Sequence, residues 1–305
     1  MNNKRKIFIG SRKSNLAKLQ SNLVCNKLMD MGIKNLKINH IVSEGDKKNF
    51  QEFKNLGGKG LFTKEIDNML LNKKIDIAVH SAKDMPAFID KNITIAAFLP
   101  REDVREVLVT KNFNIKSILD IKEKINFGSS SPRRINYLKN LIPYIKIKHI
   151  RGNVESRIQL VRQNKIDATL LAYAGLKRLK LKYDDINFIK IPTKIILPAP
   201  GQAAIAIVCR KEDKEVLNIL KKIDHLDTRL TVSAEREFIK EINGDCFTPL
   251  AVLAKVNGNK LEINGKLFSD NGKISSKAKI TSNIIDYIKA GRSCAKKVLE
   301  DLKNK

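Results

Sequence analysis

The stretch Ile125-Asn-Phe-Gly-Ser-Ser-Ser-Pro-Arg-Arg134 decides the fold. Ile125–Phe127 reads as a short strand, and Gly128 with the serines after it breaks the extended run. Ser131 has the side chain of a helix N-cap. Pro132 suits the first helical position, where its missing N–H has no intrahelical partner to lose. Ile135, Leu138 and Leu141 follow on the helix. The same succession occurs near the start of the chain. Lys6–Ile9 reads as a strand ended by Gly10-Ser11, basic residues follow, and a helix carries Leu16, Leu19, Leu23, Leu28 and Met31. Repeated in this way, the pattern predicts two similar α/β lobes facing each other.

Outward from these points the alternation continues. Leu36–Ser43 reads as a strand, Gly57-Gly-Lys-Gly60 as a mobile loop, and Leu61–Leu71 as an amphipathic helix carrying Phe62, Ile66 and Leu70. Ile75–Val79 is a strand running into His80-Ser-Ala-Lys-Asp84. In the second lobe, Glu106–Thr110, Ile145–Ile150 and Asp167–Ala172 read as strands, and a helix with Val154, Ile158 and Val161 follows Arg151-Gly-Asn153. The punctuated linker Leu197-Pro-Ala-Pro-Gly-Gln202 leads into the apolar strand Ala203–Cys209. Beyond it the pattern changes: a helix over Arg229–Ile242, a loop with Cys246 and Pro249, then strands Leu250–Val256, Lys260–Phe268 and Lys273–Thr281. Asn257-Gly258 and Asn271-Gly272 join these strands as turns of an antiparallel meander, and a helix spans Ile284–Leu302. The predicted architecture is α/β: a doubly wound lobe over 1–104 with 198–222, a second over 105–197, and a smaller α+β domain with a three-stranded antiparallel sheet over 223–305.

The 305 residues are 42 % hydrophobic and 30 % charged, enough apolar chain for a sizeable core. This composition argues against a collagen, a disulfide miniprotein or a disordered polar tail. No apolar run approaches the roughly 18–20 residues of a membrane-spanning helix, and only Ile7-Phe-Ile9 follows the basic start, too short for a signal-peptide core. Cys25, Cys209, Cys246 and Cys294 are widely separated, as in a reducing compartment. A cytoplasmic protein without a membrane partner is expected.

The net charge of +27 comes from 59 Lys+Arg against 32 Asp+Glu. Two readings are open: a basic nucleic-acid surface, or lysine-rich composition of the kind an AT-rich genome produces. The chain has no Trp, and no stretch interleaves aromatics with arginine. Arg133, Arg134, Arg151 and Arg157 sit at predicted element ends, where guanidinium forks suit a small carboxylate- or phosphate-bearing anion; ordinary surface arginines are the other reading. The helix start at Pro132 adds backbone N–H groups, and Ser129 and Ser131 add hydroxyls. No C-x-x-C, H-x-x-x-H or phosphate-loop spacing occurs, so no metal is expected. His80 could orient a loop or move a proton. Asp84 follows a strand end, where α/β sheets place ligands, and could stabilise a cation developing on a substrate; Lys83-Asp84 could equally be a surface pair. Cys246 is the candidate for covalent chemistry, with a free structural thiol as the alternative.

Taken in order, Gly10-Ser-Arg-Lys-Ser14, Gly57-Gly-Lys-Gly-Leu-Phe62, His80-Ser-Ala-Lys-Asp84-Met-Pro86, Gly128-Ser-Ser-Ser-Pro-Arg-Arg134, Arg151-Gly-Asn-Val154 with Arg157, Ala174-Gly-Leu-Lys-Arg-Leu179, Pro198-Ala-Pro-Gly-Gln202 and Gly244-Asp-Cys-Phe-Thr-Pro249 resemble the porphobilinogen deaminase (hydroxymethylbilane synthase) family. The resemblance runs from about residue 6 to residue 250. It implies two periplasmic-binding-protein-like lobes and a monomeric transferase of tetrapyrrole (haem) synthesis. Four porphobilinogen molecules would be joined head to tail with loss of ammonia, giving hydroxymethylbilane. It also implies a dipyrromethane cofactor held by a thioether to Cys246 as primer. By resemblance, Asp84 is catalytic, facing the pyrrole N–H groups and stabilising a cationic intermediate. Lys83, Asp84, Ser131, Arg133, Arg134 and Arg157 match cofactor-contacting positions. Arg12, Ser14, Ser129, Arg151, Arg157 and Arg178 match positions that hold substrate carboxylates. The Gly57–Gly60 loop with Lys59 and Phe62 resembles a flexible cover.

The sequence departs from the family pattern at Asp245, where glycine is usual, at Phe247-Thr248, and at Pro132, where leucine is common. None of these changes removes a proposed charged group. Two other readings remain: a non-enzymatic two-lobed solute-binding protein, which would need neither Asp84 nor Cys246, and a basic nucleic-acid-binding protein.

Overall fold

The computed structural model describes residues 5–42, 60, 62–142, 144–245, 247–269 and 271–305. Ser43, Gly57–Lys59, Leu61 and Cys246, which carry sequence expectations, lie outside the described residues.

Strand β1 (Ile7–Arg12) pairs in parallel with β2 (Leu36–Ile41) and runs past Gly10-Ser11, where the sequence ends it. Gly10 belongs inside the strand because a Cβ there would collide with Ile75. Helix α1 (Asn15–Asp30) is capped by Ser14, whose Oγ accepts from the Ala17 N–H at 3.4 Å. Its buried face also differs from the expected leucine stripe. Leu19 and Leu23 are exposed, whereas Ala17, Gln20, Ser21, Val24 and Leu28 are buried. The sheet beneath α1 offers hydroxyls: Gln20 Nε2 donates to Ser81 Oγ at 2.9 Å, and the Ser11 and Ser21 hydroxyls meet at 3.2 Å. Buried polar groups are thereby satisfied without a leucine face.

Helix α2 (Lys64–Leu71) starts after Phe62, which therefore lies ahead of the helix and not on it; Ile66 and Leu70 are buried as expected. Strand β3 (Ile77–Ser81) ends in a 3₁₀ turn, Ala82–Asp84. With β4 (Ile93–Phe98) and the late strand β10 (Ile205–Arg210), the first sheet has the order β2-β1-β3-β10-β4, β10 being antiparallel to both neighbours.

The second sheet holds β5 (Glu106–Thr110), β6 (Asn126–Gly128), β7 (Lys146–Lys148), β8 (Ala168–Ala172) and β9 (Asn187–Ile191) in the order β7-β6-β8-β5-β9. Its parallel β7-β6-β8 core and antiparallel β5 repeat the plan of the first sheet. Gly10 in β1 and Gly128 in β6 thus occupy equivalent strands, as the sequence repetition predicts. Helix α3 (Pro132–Leu141) starts with Ser131 as N-cap and Pro132 at N1. Helix α4 (Val154–Arg162) is capped by Asn153, and α5 (Tyr173–Leu179) follows β8 directly. Helix α6 (Lys214–Lys221) packs on β4 and β10.

The C-terminal unit begins with α7 (Leu226–Ile242), which starts ahead of the expected Arg229 because His225 caps it. The meander β11 (Leu250–Asn257), β12 (Lys260–Phe268) and β13 (Ser275–Asn283) packs under α7 and α8 (Tyr287–Lys303) around Phe238, Ile263 and Cys294. Glu235, fully buried, joins the units: it accepts from Arg101 Nη1 at 2.7 Å, from the Gly201 N–H at 2.7 Å and from the Ala254 N–H at 2.9 Å.

Candidate active site

Strand ends and helix starts of both lobes converge on one cleft. Arg12 ends β1, Lys83 and Asp84 follow β3, Ser131 opens α3, Arg151 precedes α4, and Arg157 and Arg178 lie on α4 and α5. A cavity of about 850 Å3 brings together Arg12, Ser14, Lys83, Asp84, Arg134, Arg151, Arg157 and Arg178. Among the described residues, Asp84 is the one carboxylate on its wall. Arg12 Nη1 lies 3.7 Å from Asp84 Oδ2, and its guanidinium sits 4.4 Å from the Phe62 ring centroid. A smaller cavity of about 520 Å3 shares Phe62, Lys83 and Asp84 and is also lined by Ser131, Arg133, Arg236 and the loop residues Gly244, Asp245 and Thr248.

Two expected anion ligands prove to be partly committed elsewhere. Arg133 Nη2 donates to Glu106 Oε1 at 2.5 Å and its Nη1 to the Leu197 carbonyl at 2.8 Å. Arg134 Nη2 donates to Glu106 Oε2 at 2.8 Å, while its buried Nε has no hydrogen-bond partner among the described residues. Ser129 is buried, accepts from the Ser131 N–H at 3.3 Å and lines neither cavity. Ser131 Oγ accepts from the Arg134 N–H at 3.5 Å. Arg157 Nε donates to the Gly152 carbonyl at 3.0 Å, and Arg178 Nη2 to the Ala203 carbonyl at 2.6 Å, which orients both forks. His80 is buried in β3 with Nε2 3.1 Å from Asp67 Oδ1, so it ties the sheet to α2.

The sequence missed Glu106. An acidic residue opening an otherwise apolar strand was the available signal, because a buried carboxylate needs a cationic partner. Burial pushes its pKa up, but Arg134 and Arg133 outweigh this and hold it down at about 2. Lys83 is exposed to the cleft and lines both cavities. Desolvation lowers its pKa to about 8, with Asp84 acting in the opposite direction and Arg134 adding to the depression. Arg157 is lowered to about 10 by burial and by Arg134 and Arg151. Cations held under such strain attract a multiply charged acid.

Two family models match. That described as porphobilinogen deaminase, dipyromethane cofactor binding domain, covers residues 7–218, and the porphobilinogen deaminase C-terminal domain covers 229–304. The chain belongs to the porphobilinogen deaminase family. Porphobilinogen deaminases similar to it include those of Syntrophomonas wolfei (39 % identical, over 97 % of this chain and 96 % of that one), Bacillus subtilis (39 %, 95 % and 92 %) and Fusobacterium nucleatum (39 %, 99 % and 99 %). Among solved structures, the substrate binding protein of an amino acid ABC transporter aligns at 14 % identity over 78 % of this chain and 95 % of that one, with a TM-score of 0.41, a likeness too loose to argue from. As a porphobilinogen deaminase, the chain is a transferase that polymerises porphobilinogen to hydroxymethylbilane in tetrapyrrole biosynthesis, and its first two lobes form the dipyrromethane-binding domain. The residues present fit that group: an acid-bearing dipyrrole needs guanidinium forks for its carboxylates and an acceptor for its pyrrole N–H groups. The cleft supplies the Arg134 Nε, without a hydrogen-bond partner among the described residues, the surrounding arginines and the Asp84 carboxylate.

Proposed function

We propose that the arginine-lined cavity is the polymerisation site, that Asp84 is its catalytic residue and that Cys246 carries the dipyrromethane as a thioether. When bound, that cofactor supplies the primer to which the first substrate is joined. Arg134, Arg157, Lys83 and Ser131 hold it, and Arg133 braces Arg134 through their shared Glu106. Arg12, Ser14, Arg151 and Arg178 receive the acetate and propionate groups of porphobilinogen and fix its orientation. Asp84 accepts the pyrrole N–H and offsets the positive charge that develops as ammonia leaves the substrate. Arg12, close to Asp84 and stacked on Phe62, aims that carboxylate. Ser129, buried against Ser131, supports the N-cap instead of touching substrate. The reading takes the protein as a cytoplasmic monomer acting on a small acidic pyrrole, without a nucleic-acid partner.

The observation that carries this reading is a lone cavity-lining carboxylate, among the described residues, facing guanidinium groups from both lobes. Intact-mass spectrometry tests it. Protein from cells that make porphobilinogen should exceed its chain mass by a dipyrromethane, and Cys246→Ser should abolish that increment. Asp84→Asn should keep the increment and lose turnover. A bare chain mass in the parent, or near-normal turnover in Asp84→Asn, overturns the assignment.

A further inference from the structure

The smaller cavity contains a cation that the chemistry above does not use. Arg236, on α7, is 8 % exposed and lines that cavity. Its Nη2 donates to the Pro86 and Ala87 carbonyls at 2.9 and 3.0 Å, while its Nη1 is buried without a hydrogen-bond partner among the described residues. The adjacent Glu237 is engaged elsewhere, accepting from Lys240 at 2.6 Å and from Arg292 at 2.8 Å. The carboxylates on the cavity wall are occupied as well. Asp67 pairs with His80, Asp84 faces Arg12, Asp90 accepts the Asn92 N–H, and Asp245 accepts the Phe247 and Thr248 N–H groups. A buried guanidinium without a bonded carboxylate is costly, and burial lowers the pKa of Arg236 to about 10 with only Glu237 opposing. An incoming anion would relieve that cost.

We propose that Arg236 anchors a carboxylate of the pyrrole chain as it lengthens, so that units displaced from the reaction site pass into the smaller cavity. The cavity has the size of a ligand pocket and shares Phe62, Lys83 and Asp84 with the cleft, so it adjoins the place where the chain grows. Gly244, Asp245 and Thr248, which flank Cys246 in sequence, form part of the same wall. The inference rests on the function proposed above.

The test mixes the cofactor-loaded protein with limiting porphobilinogen, quenches, and reads the adduct ladder by intact mass. Arg236→Gln should retain the dipyrromethane increment and form the first adduct as the parent does. Its later adducts should persist about tenfold longer, the scale of one lost charge-assisted hydrogen bond. Arg236→Lys, which keeps the charge, should restore the parental ladder. An unchanged ladder in Arg236→Gln overturns the proposal. So does equal damage in both variants with equally lowered melting temperatures, which would make Arg236 a clamp on the 86–87 loop. A parent lacking the increment is a different failure: it removes the proposed function, and this inference with it.

Discussion

Arg133 Nη2 and Glu106 Oε1 meet at 2.5 Å in the wall between the lobes, with side chains 6 % and 0 % exposed. Arg134 takes the other Glu106 oxygen, and Gln202 Nε2 donates to Oε1 at 3.2 Å. One carboxylate therefore holds both arginines at the start of α3 and touches the linker that leads back to the first lobe.

Glu106→Ala should strand two buried guanidinium groups and cost about 3–5 kcal/mol, read as a lowered melting temperature. A loss under about 1 kcal/mol would show that water or another group takes over the pairing. The sign of the pH effect follows from the depressed pKa. Stability contributed by Glu106 is fully present above its ordinary value near 4.5 and is lost as pH falls towards about 2. Glu106→Gln should flatten the melting profile in that window.

Lys83 makes the cleft sensitive to alkaline pH. With its pKa near 8, the free protein loses this cation as pH rises through that value. An acidic ligand favours the charged form, so binding takes up a proton above pH 8. Uptake of the dipyrromethane by cofactor-free protein, read by intact mass, should slow above pH 8 in the parent and stay level in Lys83→Arg. A parallel slowing in both would assign the effect to another group.

Gly201 has φ +66°, and a Cβ there would stand 3.0 Å from the Ala82 carbonyl carbon and 3.1 Å from the Lys83 nitrogen. Gly201→Ala should cost about 1–2 kcal/mol in backbone strain and shift the turn carrying Lys83 and Asp84. Turnover should fall with it. Gly258→Ala is the control: φ is +57° but nothing lies within 4 Å, so it should lose stability and keep turnover.

Local chemistry was legible in the sequence where a single residue decides the geometry. Ser131-Pro132 starts α3, and Gly258 and Gly272 turn the meander with positive φ. On α1 periodicity holds for Leu28 and fails for Leu19 and Leu23, because part of the sheet-facing side is taken by Gln20 and Ser21. The sequence reading lacks the strands over 93–98 and 187–191, although it contains β2 and β7, which are edge strands like them. In the site, the cluster of Arg12, Asp84, Arg134, Arg151, Arg157 and Arg178 was visible through the motifs. Glu106 and Arg236 were not, since their importance depends on partners, or the lack of one, far along the chain.

Strand β10 lies between β3 and β4, and it arrives only after the chain has traversed the whole of the second lobe. A nascent chain ending before Ile205 would leave the edges of β3 and β4 bare. The second sheet, by contrast, draws every strand from Glu106 to Ile191 and can close as soon as that segment emerges. All the strands of the second sheet are therefore synthesised before the first sheet has its full set.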